Sequence, residues 1–176
     1  MKRHIILVFI LIFVLALSGC RQNSGNNTGV TSDNSVTNER YPSFVVETVE
    51  ASKGDKDVVV RISLKNNPGF LTMAMNITYD SDNMVLTKLI NGSDYQEYNF
   101  VGPKNKKSGC TASWFMPEAP INVVDGNILE LHFDIKEQVA NGAYPISITR
   151  PDNGGVVDQN KEEIIFNNAT GYIQIN

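Results

Sequence analysis

Few residues in this chain could carry out chemistry. Its 176 residues include two histidines and two cysteines. His4 sits at the start of an N-terminal apolar run, which leaves His132 as the imidazole in the body of the chain, and no Gly-x-Ser-x-Gly elbow accompanies it. A lone histidine in mid-strand reads as a surface or interface residue rather than a general base or ligand. Metal clusters of His and Cys are excluded by number. Asp80-Ser81-Asp82-Asn83 has the acidic spacing of a calcium loop, but the sixth-position glycine and twelfth-position glutamate of an EF-hand are missing, so it reads as a turn. Glu162 and Glu163 would face opposite ways in a strand, unlike the close carboxylate pair of a glycosidase. The chain is expected to be no enzyme and to carry no cofactor of its own.

Cys20 is the residue whose surroundings specify a reaction. Met1-Lys2-Arg3-His4 is a charged start, Ile5 to Leu17 contains no polar residue, and Ser18-Gly19 supply small residues in front of the cysteine. The apolar run is too short to span a bilayer, which takes about 20 residues. Leu17-Ser18-Gly19-Cys20 resembles the lipobox of bacterial lipoproteins, in which the thiol receives a diacylglyceryl group and becomes the mature N-terminus. Each buried CH₂ contributes about 0.8 kcal/mol, so one acyl chain binds reversibly and two hold firmly. The resemblance implies a signal peptide over 1–19 and a membrane partner reached through lipid on Cys20. It also implies a location on the extracytoplasmic side of the cell membrane. Residues 20–41 continue as a Ser/Asn/Gly/Thr linker, with Val30 and Val36 the only apolar side chains between Arg21 and Arg40. Such a linker reaches roughly 25 Å.

The remaining span, 42–176, fits one domain. It has 11 Lys and Arg against 17 Asp and Glu, a net charge of −6. No basic stripe is present to neutralise phosphates, so nucleic acid is excluded as a partner. With Cys20 lipidated, Cys110 stands alone and no disulfide can staple the domain. In Cys110-Thr111-Ala112-Ser113-Trp114 it reads as a small buried hydrophobe.

The elements that must position everything else are short β-branched or alternating runs separated by Gly, Asn, Asp and Pro, without a 3.6-residue period. The expected strands are Phe44–Glu50, Val58–Lys65, Leu71–Tyr79, Met84–Lys88, Cys110–Met116, Ile128–Lys136, Tyr144–Thr149 and Gly171–Ile175, with weaker candidates near Val156 and Ile164. Turn chemistry separates them at Lys53-Gly54-Asp55, Asn67-Pro68-Gly69, Asp80-Ser81-Asp82-Asn83, Asp125-Gly126-Asn127, Asn141-Gly142 and Asp152-Asn153-Gly154-Gly155. Period two sends Leu71, Met73, Met75, Ile77 and Tyr79 to the core and Thr72, Ala74, Asn76 and Thr78 outward. It likewise buries Leu129, Leu131, Phe133 and Ile135 and exposes Glu130, His132, Asp134 and Lys136. One polar face per strand predicts an all-β chain of antiparallel sheets packed as a sandwich. Trp114 and Phe115 are adjacent, so one faces in and the other out.

Two blocks resemble the cohesin domain family. The first is Gly69-Phe70-Leu71-Thr72-Met73-Ala74-Met75-Asn76-Ile77-Thr78-Tyr79-Asp80, followed by Met84-Val85-Leu86 and Gly92. The second is Ser113-Trp114-Phe115, then Asp125-Gly126-x-Ile128-Leu129-x-Leu131-x-Phe133-x-Ile135-Lys136, then Gly142-Ala143-Tyr144-Pro145-Ile146-Ser147-Ile148. The resemblance implies a single nine-stranded β-sandwich of jelly-roll topology. It implies a non-catalytic receptor for a dockerin-containing protein, with Ca²⁺ on the dockerin rather than on this chain, as part of polysaccharide-degrading machinery. Carried over by alignment and strand parity, the partner-binding face is expected to present Thr72, Ala74, Asn76, Ser113, Phe115, Glu130 and His132. Thr72 and Ala74 stand where cohesins often carry an Asn and an Asp, so a charge-assisted hydrogen bond to the partner is missing. Because the fold is shared with carbohydrate-binding modules, direct binding of polysaccharide is the alternative, using exposed aromatics among Tyr95, Tyr98 and Trp114.

Overall fold

The computed structural model describes residues 41–117, 122–151 and 155–176. The expected signal segment, lipidated Cys20, the linker up to Arg40 and most of the expected turn Asp152-Asn153-Gly154-Gly155 lie outside them. The described residues form strands β1 (Ser43–Val46), β2 (Val49–Ala51), β3 (Val58–Lys65), β4 (Thr72–Tyr79) and β5 (Met84–Asn91), followed by a single 3-10 turn (Ser93–Tyr95). Strands β6 (Asn99–Val101), β7 (Cys110–Phe115), β8 (Gly126–Ile135), β9 (Gly142–Thr149), β10 (Val156–Val157), β11 (Glu163–Ile164) and β12 (Ala169–Ile175) complete the domain. Twelve extended segments thus stand where nine strands were expected, and β2, β6, β10 and β11 are only two or three residues long.

Two sheets face each other. One has the order β1-β3-β8-β5; the other runs β11-β10-β4-β9-β12-β2, with β7 paired to β4 and β6 to β7. Strand β4 lies at the centre of the second sheet. Its one edge takes β7 from Thr72↔Phe115 to Ile77↔Cys110, and its other edge takes β9 at Asn76–Tyr79 and β10 at Thr72–Met73.

The alternation read from the sequence builds the core. Met73, Met75, Ile77, Ala112, Trp114, Ile146, Ile148 and Ile173 point inward from one sheet, and Val60, Ile62, Leu64, Leu86, Leu129, Leu131, Phe133 and Ile135 point inward from the other. Burying each larger side chain contributes about 1.5–3 kcal/mol, which lets the domain fold with Cys110 as its free thiol. Ile128, next to Leu129, is also fully buried, because the β3–β8 register slips by a residue at Ile62/Ser63 and turns both side chains inward.

Three departures from the expected elements have local causes. The run Phe44–Glu50 is split: β1 pairs antiparallel with β3 in one sheet, and β2 pairs parallel with β12 in the other. The chain crosses between sheets at Glu47-Thr48, where Glu47 N–H donates to Arg61 O (2.9 Å) and Thr48 Oγ1 accepts from Tyr172 N–H (3.2 Å). Gly171 makes room for the crossing, since a Cβ there would lie 2.4 Å from Glu47 O. Strand β6 was not expected; Phe100 and Val101 favour strand, but the run Asn99-Phe100-Val101 is too short to signal one and is placed by its pairing with β7. The parallel β2–β12 pair is the exception to the expected antiparallel sheets.

Candidate docking face

The outward side of the β4 sheet is assembled in rows by register. Directly opposed pairs share a face, so Asn99, Phe115, Thr72 and Val157 form one row across β6, β7, β4 and β10, and Val101, Ser113 and Ala74 form the next. Thr111, Asn76 and Thr149 follow across β7, β4 and β9, and then Thr78, Ser147 and Thr170 across β4, β9 and β12. A shallow depression lies over Thr72, Ala74, Thr111, Ser113, Phe115 and Val157. Five of the seven expected site residues, Thr72, Ala74, Asn76, Ser113 and Phe115, are therefore brought together.

Glu130 and His132 are not among them. They lie on β8, in the other sheet, and their side chains face the opposite side of the molecule. Strand parity says which side of its own sheet a residue faces, but not which sheet the strand joins, and the expectation placed β8 beside β4. His132 is also buried rather than exposed, at 6%. Its Nδ1–H donates to Asp57 Oδ1 (2.7 Å), and its Nε2 is buried without a hydrogen-bond partner, 4.0 Å from Glu130 Oε2.

The Trp114/Phe115 pair resolves plainly. Trp114 is 1% exposed, packs on Phe100 with ring centroids 5.1 Å apart, and donates its indole N–H to Asn91 Oδ1 (2.8 Å). Phe115 is 43% exposed on the outer face. The aromatics on which the glycan alternative relied are all inside. Tyr95 and Tyr98 stack on Phe70 at 5.9 and 4.5 Å; the Tyr98 hydroxyl donates to Phe70 O (2.9 Å) and that of Tyr95 to Val124 O. Burial pushes both phenols above their ordinary value.

This buried end of the sandwich fixes where β4 begins. The Asn67 amide N–H₂ donates to Tyr95 Oη and Asn122 O, both at 3.0 Å, and its Oδ1 accepts from Gly69 N–H (3.0 Å). Asp125 Oδ1 accepts from Asn67 N–H (2.9 Å), a bond that holds the Asp125 carboxyl below the usual carboxylate range. At the far end of β4, Asp80–Asn83 closes as a turn: Asp80 accepts from the Asn83 side chain (2.8 Å) and from Asp82 N–H (2.9 Å), which lowers its pKa. Cys110 is half-buried against the core, and desolvation raises its thiol pKa. Among the described residues no group of three or more His, Cys, Asp or Glu is placed to hold a metal ion.

The sequence reading missed Asn99, Val101, Thr149 and Val157 as members of this face. Val101 and Val157 could have been flagged as apolar residues in turn-rich surroundings, but the pairing that places them is long-range.

The cohesin domain family profile matches residues 42–175. No curated protein sequence matches the chain. Among solved structures, a cohesin from the archaeon Archaeoglobus fulgidus described as non-cellulosomal superposes with a TM-score of 0.64 at 12% identity, covering 78% of this chain and 92% of its own. The OlpA cohesin of a type I cohesin–dockerin complex from Clostridium thermocellum gives 0.62 at 20% identity, covering 78% and 100%. The sixth cohesin of scaffoldin B from Acetivibrio cellulolyticus, solved with a dockerin, gives 0.60 at 21% identity, covering 77% and 100%. At these identities the likeness to each is one of fold.

Proposed function

The chain belongs to the cohesin domain family, and from that premise we propose that it is a non-catalytic receptor which captures a dockerin-bearing protein in a cellulosome-type complex. The face that receives the dockerin is the outer side of β4, β6, β7, β9 and β10. One observation supports this choice above others: the face offers exposed apolar side chains, Phe115 and Val101, beside rows of hydroxyl and amide groups. The outer side of the other sheet also exposes Val45 and Val85, but its polar side chains are paired within the fold, Arg61 with Glu47 and Glu130, Lys56 with Asp134 and His132 with Asp57.

The test is calorimetric titration of a calcium-loaded dockerin into the purified domain. A one-to-one complex is expected, lost when EDTA strips the dockerin, and weakened tenfold or more by Ala74→Lys at the centre of the face. No heat of binding, or full affinity in the Ala74→Lys variant, would overturn the reading.

We further propose that the receptor is held at the extracytoplasmic side of the cell membrane by lipid on Cys20, with residues 21–41 as tether. The charged start, apolar run and small residues before Cys20 support it. A tethered receptor raises the local concentration of whatever it captures. Cys20→Ala is expected to move the protein out of the membrane fraction while leaving dockerin affinity unchanged. Retention in the membrane would contradict the anchor.

Of the rings named for the glycan alternative, Tyr95, Tyr98 and Trp114 are buried, and Phe115 and Tyr172 are the aromatic side chains that the β4 face exposes among the described residues.

A further inference from the structure

We infer that the dockerin surface seated on this face is uncharged at its centre, a calcium-loaded helix pair that presents apolar side chains and hydrogen-bond acceptors in place of Asp, Glu, Lys or Arg. The inference rests on the dockerin reading above and specifies the partner's chemistry.

Strands β4, β6, β7, β9, β10 and β12 contain no Asp, Glu, Lys, Arg or His. Among the described residues, the charges around this face lie at its margins. Glu50 sits on β2, Glu163 on β11 lies opposite Val157 at the end of the first row, where Arg150 neutralises it, and Lys104, Lys106 and Lys107 belong to the connection beyond β6. A partner charge pressed onto the centre would give up its water and meet no counter-charge, which is the costly case for burying an ion.

Two subsites make the selection more specific. Beside Phe115, 43% exposed, the small side chains Ala74 and Ser113 leave a depression suited to an apolar partner side chain, and Val101, 54% exposed, flanks Ser113 in the same row. One row further along β4, Asn76 Oδ1 already accepts from Thr111 Oγ1 (2.7 Å). That bond fixes the amide, so Asn76 Nδ2 is the atom left to donate outward, and a carbonyl or hydroxyl oxygen on the partner is the group that satisfies it. The next row is similarly neutral, with Ser147 Oγ and Thr170 Oγ1 bonded at 2.9 Å.

Contacts of this kind are insensitive to ionic screening, unlike interfaces whose register is set by opposed charges. The experiment uses one calcium-loaded dockerin scaffold in two forms, its contact helices bearing either Leu, Val, Ser and Thr or Lys and Asp at the same positions. The neutral form is expected to bind, with a Kd that changes less than about twofold between about 0.05 and about 0.5 M NaCl. The charged form is expected to bind at least about tenfold more weakly. Equal or tighter binding of the charged form, or a tenfold salt-dependent loss for the neutral form, would overturn the inference while leaving the dockerin reading intact. If neither form binds, it is the dockerin reading that falls.

Discussion

The two outer faces of the sandwich divide the polar chemistry of the domain unequally. On the β1-β3-β8-β5 face, Arg61 sits between Glu130 (3.2 Å) and Glu47 (3.6 Å), Glu130 Oε1 also accepts from Asn127 Nδ2 (3.3 Å), and His132 is bonded to Asp57. Asp134 pairs with Lys56 (3.4 Å) and accepts from Asp57 N–H (3.2 Å), which helps hold Asp57 at a φ of 57°. These charges are paired with one another, and His132 Nε2 and Asn127 Oδ1 are buried without a hydrogen-bond partner. The β4 face has no charge on its central strands and leaves Phe115, Val101 and the Asn76 amide open. Polar residues on a strand are therefore not in themselves a sign of binding; what matters is whether their hydrogen-bonding capacity is already used within the fold.

The sharpest way to break this contrast is across a single peptide bond. Trp114→Ala removes a fully buried indole and its bond to Asn91, so stability should fall by about 3–5 kcal/mol, read from denaturant unfolding. Phe115→Ala, one residue on, should leave stability within about 1 kcal/mol of the parent while weakening dockerin binding at least about tenfold. If the two variants behaved alike in both assays, the assignment of inside and outside would be wrong.

On the charged face the expectation is reversed. His132→Ala deprives Asp57 of its partner and opens a small void, costing about 1–2 kcal/mol of stability, with dockerin affinity unchanged. Arg61→Ala should cost less, about 0.2–1 kcal/mol, because its pairs with Glu47 and Glu130 are partly exposed.

The smallest effect is a pH dependence. Asp80 and Asp125 have carboxyls held below their ordinary range by hydrogen bonds made in the folded state. A depressed folded pKa contributes stability that is complete above the unfolded value of about 3.9 and is lost as pH falls through the folded one. Asp125→Asn should therefore lower the plateau near neutrality slightly and flatten the acid side of the stability profile, so that variant and parent converge at low pH. An unaltered acid limb would show that the Asn67–Asp125 bond contributes nothing there.

Much of this was legible locally. Period-two alternation gave the inward residues of β4 and β8, and the turn residues gave most boundaries. Asp80-Ser81-Asp82-Asn83 closes as the turn its composition implied. Sheet membership was not legible, because alternation reports a side without reporting a partner strand; Glu130 and His132 were assigned to the docking face for that reason. The break between β1 and β2 was hidden as well. Phe44–Glu50 is continuously strand-like, and the room its crossing needs comes from the missing Cβ of Gly171, far along the chain. The burial of Tyr95 and Tyr98 was hidden in the same way: they lie in a polar, turn-like stretch that reads as surface, yet long-range bonds to Asn67, Val124 and Phe70 draw them into the core.

The most direct test of the account is a map of backbone amide chemical-shift changes when a calcium-loaded dockerin is added to the labelled domain. The account predicts changes concentrated at Thr72–Asn76, Asn99–Val101 and Thr111–Phe115, with Val58–Ser63 and Glu130–Asp134 undisturbed. Changes centred on β3 and β8 instead would contradict it.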